Sequence, residues 1–161
     1  LITLYLVSKG ILKKPILYLS DFFERNKQLY YDNLMRARTH NDLAQWYKFF
    51  LAGVIETSKK GTQTFDGILQ LQKTLDEKIK TLKSRSGDAR KVIDYLFQRP
   101  IIDAVKVAEV TDKTQSTAYK LIESMEDLGI IKEITGAQRG KLYSFEEYLS
   151  LFEVDIIRKP R

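Results

Sequence analysis

The sequence predicts a mainly α protein that ends in a small α+β unit, a winged helix-turn-helix. Three observations carry this. Ala118, Leu121, Ile122, Met125 and Leu128 recur at three- and four-residue spacing, which places them on one face of a helix. Gly129 follows the last of them and suits a left-handed C-cap. Two segments rich in β-formers, 130–135 and 142–145, flank the basic turn Gly136-Ala137-Gln138-Arg139-Gly140. Helix, glycine stop, strand, basic turn and strand form the second half of a winged helix-turn-helix, a fold that either reads DNA or binds only protein.

The elements before it follow in order. Residues 1–9 end a helix that Gly10 closes, and Lys13-Lys14-Pro15 opens a new segment. Ser20 is a good N-cap, with Asp21 and Glu24 near the positive end of the helix dipole. One helix runs from there to Arg38, with Phe22, Phe23, Leu29, Tyr30, Leu34 and Met35 as its apolar set. A break at Thr39-His40-Asn41-Asp42 precedes a long helix capped by Asp42, with Leu43, Trp46, Tyr47, Phe50, Leu51, Val54 and Ile55 on a wide apolar face. Its continuation carries Phe65, Ile68, Leu75, Ile79 and Leu82 in alternating three–four spacing, with the polar Gln72 in the seam. Fewer than three clean heptads are present, which favours a helix lying across a neighbouring domain over a coiled-coil homodimer.

Ser84-Arg85-Ser86-Gly87 reads as a linker between residues 1–86 and 87–161. Asp88 is the expected cap of the next helix, whose core face is Val92, Ile93, Leu96 and Phe97, and Pro100 ends it. Ile101 and Ile102 form a short first strand, and Asp103 caps the first helix of the turn unit. Thr114 or Ser116 caps the second. The closing segment, 146–157, is amphipathic and packs back on the domain, and Lys159-Pro160-Arg161 is a tail.

Composition bounds the chemistry. The 161 residues carry a net charge of +6, one histidine, His40, and no cysteine. A disulfide scaffold, a thiolate zinc site and a histidine-built metal site are thereby excluded, and the chain suits a reducing cytoplasm. His40 reads as a solvated residue between two helices. The apolar opening, LITLYLV, is too short to span a bilayer and lacks the charged lead of a signal peptide, so no membrane partner is expected. Its uncapped start without methionine leads us to expect a longer parent protein.

The charge is uneven. Residues 1–86 hold 15 basic and 8 acidic side chains, residues 87–161 hold 12 and 13. A DNA-binding module usually concentrates positive charge on its own reading face. Candidate DNA contacts are nonetheless Lys113, Gln115, Ser116, Thr117 and Lys120 at the helix start, with Gln138, Arg139 and Lys141 in the wing. Glu123, Glu126 and Asp127 in the same helix oppose DNA wherever they face it. No catalytic constellation stands out: Asp76 and Glu77 are adjacent and point to different sides of a helix, and Lys78, Lys80 and Lys83 form a solvated face.

The first 38 residues resemble the region that follows the active-site motif of Fic-domain proteins. That family's motif, H-P-F-x-x-G-N-G-R-x-x-R, runs into a helix of type L-L-I-x-L-Y-L-V-x-x-G, then a Pro-Ile-Leu-Tyr-Leu-Ser segment and an Asn-x-x-x-Tyr-Tyr helix. Leu1-Ile2, Gly10, Pro15-Ile16-Leu17-Tyr18-Leu19-Ser20, Asn26 and Tyr30-Tyr31 stand where the pattern asks. Many bacterial members end in a long helix and a winged helix similar to residues 89–152, so the resemblance covers nearly the whole chain. It implies the C-terminal portion of a Fic domain plus a long connecting helix, followed by the winged helix. The implied parent is an enzyme that transfers AMP from ATP, with Mg2+, to hydroxyls of protein substrates. In the family the motif histidine is the general base and the glycine-rich turn cradles phosphates. This sequence contains none of those motif residues, so no catalytic or metal-binding residue is expected here. The resemblance places Tyr31 beside the adenine, with Arg38, two turns on along the same face, reaching the same pocket. Tyr30 buried and Tyr31 partly exposed for purely structural reasons is the competing reading. A DNA-binding regulator whose N-terminal helices dimerise is the alternative function.

Overall fold

The computed structural model describes residues 5, 7–10 and 19–152. Leu1, Ile2, Pro15-Ile16-Leu17-Tyr18, the end of the last amphipathic segment and the tail Lys159-Pro160-Arg161 lie outside the described residues. Among the described residues the protein is mainly helical, with one small three-stranded antiparallel sheet. Contacts gather the chain into two compact units, Leu1–Phe65 and Asp66–Arg161.

The first unit contains α1 (Leu19–Arg25), α2 (Lys27–His40) and the first part of α3 (Leu43–Lys80). The expected single helix is broken at Asn26, whose side-chain Nδ2 donates to the Phe22 carbonyl at 2.9 Å and whose φ of −113° departs from helical values. An Asn amide that competes for a backbone carbonyl loosens a helix at that point. Ser20 is not a cap, because α1 already begins at Leu19. The next break is shorter than expected: Thr39 and His40 remain helical, and Asn41 alone turns the chain with φ 53°. Asp42 does cap α3, accepting from the Gln45 N–H at 3.2 Å.

Aromatic rings hold this unit together. Phe22 packs on Phe23 and Phe49, and Phe23 on Tyr30, Trp46, Phe49 and Phe50, with centroids 5.0–6.5 Å apart. Such pairs contribute roughly 0.5–1.5 kcal/mol each beyond area burial. Gly53 lets the Phe22 ring lie against the α3 backbone: a Cβ there would stand 2.6 Å from Phe22 Cδ1. Much of the predicted apolar set is not buried. Leu29, Leu34 and Met35 of α2, and Leu43, Tyr47, Leu51 and Ile55 of α3, are exposed. The last four recur every four residues, so they form one uncovered row.

The second unit takes in the end of α3, because Leu71, Leu75 and Ile79 are buried in its core. This is the expected helix across a domain, except that the contacts use Leu71 and not Phe65, which is exposed. A 3₁₀ turn (Lys83–Arg85) leads directly into α4 (Ser86–Leu96). The predicted linker is therefore largely structured, and Asp88 lies in the first turn of α4 and not at its cap. β1 (Ile101–Asp103), α5 (Ala104–Thr111), α6 (Gln115–Asp127), β2 (Lys132–Glu133), β3 (Leu142–Ser144) and α7 (Glu146–Ser150) follow. The strands are shorter than expected. Their order is β1-β3-β2, with Ile102 opposite Tyr143 and Glu133 also opposite Tyr143.

The caps behave as their side chains dictate. Asp103 accepts from the Lys106 N–H at 2.7 Å, and Thr114, not Ser116, accepts from the Thr117 N–H at 3.4 Å. At the end of α6, Gly129 takes φ +64°, its N–H reaching the Glu126 carbonyl while Ile130 N–H reaches that of Met125. This pair of bonds is a Schellman closure. Leu96, Val92, Ile93, Val107, Ile122, Met125 and Phe145 are fully buried around Leu75. Phe145 and Tyr148 stack, and Phe97 meets both edge-on, which brings α7 back onto the core.

Leu96→Ala and Leu121→Ala should each lower unfolding free energy by about 2–5 kcal/mol, measured by denaturant titration, since both side chains are buried. Gly53→Ala should destabilise by about 1–3 kcal/mol through overpacking against Phe22. Gly61→Ala, in open space on the same helix, should instead stabilise by about 1 kcal/mol.

Candidate functional site

Two surfaces collect the residues singled out from the sequence, one in each unit. In the first, Tyr30 is half-buried, with its ring 5.0 Å from Phe23 and edge-on to Trp46 at 5.7 Å. Tyr31 meets that ring edge-on at 5.4 Å and is itself 56 % exposed. The aromatic cluster thus fixes one tyrosine and presents its neighbour. Arg38 is exposed seven residues on, about 10 Å along the axis and on the same face. Between them lie Leu34 and the 59 % exposed Met35. Tyr31, Leu34, Met35 and Arg38 follow the i, i+3, i+4, i+7 pattern of a helix stripe, and here that stripe is open. A ledge of one aromatic ring, two aliphatic side chains and a terminal guanidinium suits a flat, partly anionic ligand. Leu34 and Met35 belong to the apolar set of the helix by sequence, and only their exposure marks them as surface.

In the second unit, Gln115, Ser116 and Lys120 are exposed on α6, as are Lys113 and Thr117 at its start. Arg139 and Lys141 are exposed in the loop between β2 and β3. The same face of α6 carries acids. Ser116, Lys120, Glu123 and Asp127 are spaced by four, three and four residues, so they share one row, and all four are exposed. Glu126 is different. Its carboxylate turns to the sheet and accepts from the Glu133 N–H at 3.2 Å. Arg85, read from sequence as part of a linker, donates to Ser124 Oγ at 2.8 Å and to the Lys120 carbonyl at 3.3 Å. It fastens the turn before α4 to the middle of α6, a contact no local sequence signal reveals.

The base of the β2–β3 loop is shaped by one carboxylate. Glu133 Oε1 accepts from the Thr135 hydroxyl, from the Thr135 N–H at 2.7 Å and from the Gly136 N–H at 2.8 Å. The Thr135 hydroxyl in turn accepts from the Leu142 N–H at 3.3 Å. These bonds, the Thr135 hydroxyl's first, and the nearby Lys141 charge hold the Glu133 carboxyl below its ordinary value, against a smaller opposing effect of burial.

No protein-family profile matches the chain.

The Glu133 clasp has a pH signature. A depressed folded-state pKa means the clasp is fully formed above the ordinary carboxylate value and is lost as pH falls through the lower folded value. A carboxyl-detected NMR titration should give Glu133 a midpoint below 4.5, with the Thr135 and Gly136 amide shifts moving in step. In Glu133→Gln those amide shifts should stay flat across the same range.

Proposed function

We propose that the chain is the C-terminal part of a Fic-type protein adenylyltransferase, which transfers AMP from ATP to protein hydroxyls. In this reading the first unit supplies post-motif helices of the catalytic domain, and the second is a winged helix used for docking or regulation. The observation that carries it is the open stripe of Tyr31, Leu34, Met35 and Arg38, backed by the half-buried rings of Tyr30 and Trp46. Tyr31 offers a face to the adenine, and Arg38 adds positive charge at the far end of the ledge. Magnesium enters only with the motif residues. Proton abstraction and phosphate positioning belong to the same motif.

The test uses the full-length protein that contains these residues. With labelled ATP and Mg2+ it should label a protein hydroxyl, and the isolated 161-residue chain should label none. Tyr31→Ala in the full-length protein should lower kcat/KM for ATP about 5- to 150-fold, the equivalent of roughly 1–3 kcal/mol for stacking of a base on an aromatic ring. Labelling by the isolated chain, or none by the full-length protein, overturns the reading.

A DNA-binding regulator is the second reading, favoured by the joint exposure of Gln115, Ser116, Lys120, Arg139 and Lys141. Glu123 and Asp127 in the same row weigh against it, since phosphates would meet them along with Lys120. Residues 66–161, which hold their own core, should therefore show no specific duplex binding near the 10⁻⁸ M typical of regulators at physiological salt. Specific binding of that strength, lost in Gln115→Ala or Arg139→Ala and falling steeply with salt, would promote the regulator.

A further inference from the structure

We draw no further inference here: the strongest candidate, the exposed aliphatic patch of Ile101 and Leu142 on the three-stranded sheet with Ile134 just after β2, is an unpartnered apolar face, and nothing in the structure shows what covers it.

Discussion

Leu75 is the residue on which the second unit turns. It sits on α3, more than ten residues before α4 begins, yet it is fully buried among Val92, Ile93, Leu96 and the helices that follow. Burying a leucine side chain contributes about 1.5–3 kcal/mol. Leu71 and Ile79, four residues to either side, extend the same row. A domain of fewer than a hundred residues buries a modest share of its surface, so these three side chains are a material part of its core. The Asp76–Arg90 ion pair, formed between α3 and α4, lies beside them. With both side chains about one third exposed, it orients the helices more than it stabilises them.

Where sequence and structure agree, the physics is local. Asp42, Asp103, Thr114 and Gly129 act through hydrogen bonds that span five residues or fewer, and their side chains or φ values announce them. The core face of α6 was legible because Ala118, Leu121, Ile122 and Met125 repeat at helical spacing over a well-formed helix. What the sequence hid is contingent on distant partners. Periodicity marks a face as apolar, but it cannot say whether anything covers that face. Hence Leu34, Met35, Leu51 and Ile55 belong to apolar faces and are nonetheless exposed. The pinch at Asn26 was missed because an asparagine between two helical stretches carries no signal stronger than the apolar pattern around it. Arg85 was missed because its partner in α6 lies 39 residues away.

The candidate sites divide along the same line. Tyr31 and Arg38 were placed by resemblance alone, and Gln115, Lys120 and Arg139 by their position around a turn. All are exposed, so each is accessible to a ligand. The two surfaces differ in what shares them. Tyr31 has aliphatic neighbours and a basic end, a mixture with one sense of charge. Lys120 has two carboxylates in its row, so any polyanion there meets attraction and repulsion at the spacing of a single helical turn.

The short strand β2 lies at the rim of the sheet, where an unpaired backbone would invite another chain to add itself. An outward donor of β2 and one of the turn just after it are already spoken for. The Glu133 N–H is held by Glu126, and the Thr135 N–H by the Glu133 side chain. An incoming strand would have to displace two carboxylates and bring its own carbonyl oxygens up against them. The side chains that shape this hairpin therefore also make its border a poor template for amyloid-like or domain-swapped growth, a safeguard written in two glutamates seven residues apart.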